Sequence, residues 1–109
     1  MIDWDRVATL RSEIGASDFD EVAFLFLGEA EEVITRLGEG NLMAPLVDEI
    51  HALKGSALNL GFSDLAAMLQ DKERRVARGE AISTGRIIDC YTASRAAFVE
   101  GLPRLNPAA

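Results

Sequence analysis

Apolar positions recur every three or four residues along most of this chain, with polar residues filling the intervals. That period belongs to helices with one buried side, and no stretch alternates long enough to predict a strand. Asp3 is placed to cap a short first helix through about Ile14. Trp4, Val7, Leu10 or Arg11, and Ile14 fall in helical register, and Gly15 stops it. Ser17-Asp18-Phe19-Asp20 predicts the next start, a capping Ser with an acid three residues on. The second helix then reaches about Leu37. Val22, Phe26, Glu29, Val33 and Leu37 share one side, Phe19, Leu25 and Ala30 widen it, and Glu29 sits near its edge. Gly38-Glu39-Gly40-Asn41 has the chemistry of a break.

A third helix is expected from Met43 to Pro45 onward, since Pro is tolerated in a first turn, through Leu60 to a stop at Gly61. Leu46, Ile50, Leu53, Ala57 and Leu60 fall within a stripe roughly 80° wide at about 100° per residue, the mark of a helix packed on a core. Ser63 is the expected cap of a fourth helix, with Leu65, Met68, Leu69, Lys72 and Val76 inward and Gly79 at its close. Lys72 can bury its stem there and carry its ammonium out to water. Ile82-Ser83 opens a fifth helix, where Ile82 and Ile87 can staple the Ser83 cap. Ile87, Tyr91, Ser94, Phe98, Leu102 and Leu105 form its inner stripe, with Cys90 beside it as a small buried apolar residue. Pro103 predicts a frayed or kinked last turn, and Pro107-Ala108-Ala109 a tail. The expected fold is all-α: one domain over residues 1–109, an antiparallel four-helix bundle with the short N-terminal helix across one end.

Charge narrows the function. A formal net charge of -7 argues against nucleic acid as a partner, because phosphate binding needs a concentrated basic face. The single cysteine rules out an internal disulfide and suits a reducing compartment. No apolar run approaches the roughly 18 residues of a membrane span. Met1-Ile2-Asp3-Trp4-Asp5 has no signal-peptide pattern. A cytoplasmic monomer is expected, since no second long apolar face appears.

His51 is the only histidine in the chain. It lies about 140° from the centre of its helix's apolar stripe, so it is expected in solvent. Lys54 and Gly55 follow at i+3 and i+4, beside it on the helix surface. A glycine inside a helix costs roughly 1 kcal/mol relative to Ala, which suggests that the space beside His51 has a use. Ala44, Val47 and Leu58 join Gly55 around the histidine as a small apolar apron where a bundle helix normally carries charge. Ser56 and Asn59 fall on the other flank, where they are expected to bond within the bundle or to water. Gln70 and Arg74 lie elsewhere on the fourth helix, and Arg74, Arg75 and Arg78 read as a solvated face.

His51-Ala52-Leu53-Lys54-Gly55-Ser56-Ala57 followed by Leu60-Gly61 resembles the phosphoacceptor signature of histidine-containing phosphotransfer (HPt) domains. The resemblance runs on through Leu65, Leu69 and Glu73 into Arg78-Gly79-Glu80, close over about a third of the chain; Lys72 departs from it, where the family tends to be apolar. It implies a four-helix bundle and a phosphorelay role. His51 would be the phosphoacceptor through Nε2, an atom the sequence alone does not choose. Lys54 would stabilise the phosphoryl charge and Gly55 give steric access. The apron of Ala44, Val47 and Leu58 would receive the receiver domain of a response regulator, which would bring its own aspartate and Mg²⁺. A sensor or hybrid histidine kinase, or another receiver, would load the histidine. The protein itself is expected to need no cofactor and to be a carrier rather than an enzyme. It has no Gly-rich phosphate loop, no acidic cluster built for Mg²⁺, and no second catalytic group placeable beside His51. One histidine excludes a bundle di-iron site, and a Cys-x-x-Cys-His haem motif is absent. The alternatives are a docking module that regulates a receiver without phosphotransfer, and a phosphoacceptor domain of a hybrid or chemotaxis kinase; a free-standing shuttle is the expectation.

Overall fold

The Asp3 carboxylate accepts a 3.1 Å hydrogen bond from the Arg6 backbone N–H, and the first helix, α1 (Trp4–Ile14), starts there. A computed structural model describes residues 1–105 of the chain; the predicted tail at Pro107-Ala108-Ala109 lies outside them. Four more helices follow: α2 (Ala16–Glu39), α3 (Leu46–Leu60), α4 (Ser63–Ala77) and α5 (Thr84–Gly101), with a 3-10 turn over Leu102–Leu105. Each of the last four helices packs on the next, and α5 returns to α2, which closes the ring. Short connections turn each helix back on its predecessor, giving the antiparallel bundle. α1 packs on α2 and α3.

Several boundaries differ from expectation. Ser17 does not cap α2. Gly15, at φ 100°, turns the chain straight from α1 into α2, and its carbonyl accepts from Asp18 and Phe19 N–H at 3.2 and 3.0 Å. At the other end α2 runs through Gly38 to Glu39 and stops at Gly40. Its inner line is also rotated. Phe19, Ala23, Leu27, Ala30, Val33 and Leu37 are buried, Val22 and Phe26 are half-buried, and Leu25 and Glu29 are exposed. Ala23 and Leu27 hold inward positions that the expected spacing did not include, so the stripe lies to one side of the one expected.

α3 begins at Leu46 rather than Met43, because the Pro45 carbonyl takes the first helical bonds, from Asp48 and Glu49 N–H. Its predicted stripe from Ile50 to Leu60 is buried. Ser63 is the first residue of α4 instead of its cap, and its hydroxyl donates to the Met1 carbonyl at 3.0 Å. Leu65 and Leu69 are buried, whereas Met68, Lys72 and Val76 are half-buried. In α5, Ile87, Tyr91, Ser94 and Phe98 are buried, but Leu102 and Leu105 fall in the 3-10 turn and are only half-buried. Cys90 is half-buried, and burial pushes its thiol pKa up, which keeps it a weak nucleophile.

Phe62, in the turn between α3 and α4, lies in the core between Phe98 (5.4 Å, edge-on) and Tyr91 (6.2 Å). Trp4 stacks on Phe98 at 6.0 Å and lies so close to Gly101 that a Cβ there would fall 2.1 Å from the indole. The turn itself depends on Gly61. It is left-handed at φ 75°, and its carbonyl accepts from Asp3 N–H at 2.7 Å. A Cβ on Gly61 would approach the Asp3 carbonyl oxygen to 2.8 Å and Val7 Cγ2 to 2.9 Å. Gly61→Ala is therefore expected to destabilise the fold by roughly 1–3 kcal/mol, from left-handed strain and overpacking together. Urea unfolding with an unchanged midpoint would contradict that role.

Candidate functional site

α3 presents its inner residues to the core and turns His51 outward, where the side chain is 70% exposed. One turn on, Lys54 is different: its side chain is only 17% exposed. Both meet a residue of α4. The Glu73 carboxylate lies 2.6 Å from His51 Nδ1 through Oε1, and accepts from Lys54 Nζ at 2.5 Å through Oε2. Lys54 Nζ also donates to Gln70 Oε1 at 3.0 Å. Lys54, expected beside His51 on the helix surface, is thus held against α4.

Glu73 is the residue that periodicity on one helix does not reveal. A signal for it did exist. His51 and Glu73 are 22 residues apart and Lys54 and Gln70 are 16 apart, and both pairs are centred on Phe62. In an antiparallel pair with a tight turn, residues equidistant from the turn face each other.

The shared carboxylate has chemical consequences. The Lys54 ammonium, and then the His51 imidazole, hold the Glu73 carboxyl below the usual carboxylate range. An ionised carboxylate only accepts hydrogen bonds, so the proton in the 2.6 Å contact belongs to His51 Nδ1. In the neutral ring, Nε2 then keeps its lone pair.

Gly55 is exposed, and a Cβ on it would meet nothing within 4 Å, so packing supplies no reason for glycine there. Leu58 is exposed as well. The remaining apron residues fit less well. Val47 is half-buried, and Ala44 precedes α3 altogether, because Pro45 delays the helix start. On the other flank Ser56 is buried, and Asn59 Oδ1 accepts from Arg6 at 3.5 Å. Arg74 and Arg75 are exposed and pair with Asp71 on their own helix.

A family model for the Hpt domain matches residues 5–102. The chain belongs to the Hpt domain family. No curated protein and no solved structure matches it in the corresponding searches. Hpt domains are phosphotransfer modules of two-component relays and act as carriers rather than as catalysts. Among the described residues, no helix of this Hpt domain is long and apolar enough to cross a membrane.

A second buried contact fixes α3 in this Hpt domain. Glu49, 4% exposed, accepts from Nε and Nη2 of Arg36 on α2, at 2.7 and 2.9 Å. The guanidinium holds the Glu49 carboxyl below the usual range. Glu49 and Glu73 therefore each add stability that is complete above the ordinary value of 4.5 and is lost as pH falls through their lower folded values. Below that value the wild type should lose stability with falling pH more steeply than Glu49→Gln. Equal slopes in chemical unfolding at stepped pH would refute the Glu49 contribution.

Proposed function

We propose that this Hpt domain is a phosphorelay intermediate that accepts a phosphoryl group on His51 Nε2 and exchanges it with the aspartate of response-regulator receiver domains. The observation that carries the reading is the Glu73 carboxylate on Nδ1 of an exposed histidine. It fixes the tautomer and the ring orientation, so the nucleophilic nitrogen is the one left free. In-line attack forms the Nε2–P bond as the P–O bond to the receiver aspartate breaks, and the electron pair leaves on the aspartate oxygen. The ring then carries positive charge while Nδ1 keeps its proton, and Glu73 offsets that charge at 2.6 Å. Reverse transfer follows the same path.

Lys54 has two tasks in this reading. It holds Glu73 in place, and its ammonium, one helical turn from His51, adds positive charge near the phosphoryl oxygens. Gly55 leaves room beside the ring for a receiver to approach, and Leu58, with part of Val47, offers that receiver apolar surface. The receiver would bring its own Mg²⁺, and a sensor or hybrid kinase would stand upstream.

Incubation with a phosphorylated receiver domain and Mg²⁺ should give acid-labile, base-stable label on the wild type and none on His51→Gln, which should retain its circular dichroism. Label on both proteins would refute His51 as acceptor. Glu73→Ala should release the Nδ1–H tautomer, seen by ¹⁵N NMR of the ring, and slow transfer; a tautomer unchanged by the substitution would remove the orienting role. Gly55→Ala should raise helix stability by up to about 1 kcal/mol. Gly55→Arg should slow transfer by crowding the ring, and an unaltered rate would overturn the access argument.

A further inference from the structure

The outer face of α2 combines three features that folding alone does not favour. Phe24 and Leu25 stand 62% and 61% exposed on adjacent positions of the same helix. One turn on, Gly28 sits in the helix interior, with nothing within 4 Å of the position its Cβ would take. A side chain there would cost no packing and would gain roughly 1 kcal/mol of helix propensity. The third feature is charge. α2 bears seven carboxylates against one arginine, a formal -6 of the chain's -7. All seven are exposed, and like charges face each other at Asp18/Glu21 and Glu29/Glu32, a mildly destabilising spacing. The arginine, Arg36, is committed inward to Glu49, and Glu31 meets Arg95 of α5 at 2.7 Å.

The shape fits the same purpose. An open depression of ≈ 460 Å³ is lined by Gly28, Glu31, Glu32 and Met43, which is 81% exposed. A second hollow of ≈ 270 Å³ lies between Phe24 on α2 and Val99, Leu102 and Pro103 at the end of α5. An exposed glycine in the lining of such a depression lets another backbone approach closely. Local choices that work against the helix, gathered on one face, mark a surface selected for contact. In the ring of helices α2 lies diagonally across from α4, the helix that meets His51.

We propose that the α2 face from Glu21 to Glu32 is a docking surface for a cationic amphipathic helix of another protein. The charge selects this occupant. Two copies of the chain would bring together two faces that each carry four carboxylates, Glu21, Glu29, Glu31 and Glu32, and no cation, and anionic lipid or nucleic acid would be repelled in the same way. Phe24 and Leu25 supply the apolar anchors, and the carboxylates on either side of Gly28 receive lysine or arginine from the flanks of the incoming helix. Because the face lies away from His51, a partner seated on it leaves the histidine open, and phosphotransfer and anchoring can occur together.

The probe is a synthetic helical peptide with leucines on one face and lysines on the other, titrated into ¹⁵N-labelled protein; a peptide of the same composition in shuffled order is the control. Shift changes should cluster on α2 around Phe24, Leu25 and Gly28, leave the His51 ring unmoved, and weaken with added salt. Phe24→Ser should weaken binding by about tenfold or more. Gly28→Gln should also weaken it while the melting temperature holds or rises, a combination that a folding defect does not produce. His51→Gln should bind the peptide as the wild type does, so failure here is distinct from failure of the phosphotransfer reading. Equal response to the shuffled peptide, shifts centred on another face, or indifference to Phe24→Ser would overturn the proposal. So would a dimer in sedimentation that Phe24→Ser dissolves, since the occupant would then be a second copy.

Discussion

The site depends on the two-residue turn at Gly61 and Phe62. Gly61 adopts a backbone conformation that a side chain would strain, and Phe62 is drawn into the core between Tyr91 and Phe98. With one residue fixed by backbone geometry and the next by burial, α4 cannot slide along α3. That register brings Glu73 opposite His51 and Gln70 opposite Lys54. The Leu-Gly that follows the histidine motif therefore acts on the site from a distance: it sets where the Glu73 carboxylate arrives. Asp3 closes the same turn from the other side with its 2.7 Å bond, so α1 contributes to the register without approaching the histidine.

Within each helix much was legible. The stripe of α3 followed from spacing alone, and with it the outward direction of His51. Two kinds of error remained. Start and stop positions moved wherever backbone groups did the capping, as at Gly15 and Pro45, because side-chain cap signals at Ser17 and Ser63 are visible in sequence and carbonyl caps are not. The inner line of α2 rotated because Ala23 and Leu27, which the expected spacing did not include, face the core, while Leu25 and Glu29 turn outward. Contacts between helices were the larger omission. In the sequence Glu73 stood out only as part of the family resemblance and Glu49 not at all, since helical spacing on their own helices does not mark them. Each is defined by a cation on a neighbouring helix.

The two carboxylates also divide the work on α3. Glu49 binds α3 to α2 through a two-pronged, nearly buried contact, and Glu73 binds it to α4 through two different donors. The first contact can be read as purely architectural, because the two-pronged pairing of Arg36 with Glu49 is nearly buried and joins one helix to another. The second keeps one participant, the histidine ring, on the surface with a nitrogen to spare. Both anchors act on the same helix from opposite sides, within one turn of His51. The His51 side chain can thus be exposed and still be held in one orientation, which a histidine on an unsupported surface helix would not be.

Trp4 is the chain's only tryptophan, and it lies flat against Phe98 over the bare backbone of Gly101. Its light emission is therefore a property of one end of the bundle, where α1 meets the close of α5. Unfolding must separate those rings and alter the signal. His51, by contrast, is held on the α3–α4 surface by Glu73. The molecule thus carries an optical probe of its integrity in a contact separate from the histidine's, so a spectroscopist can follow whether the domain is folded from that one residue.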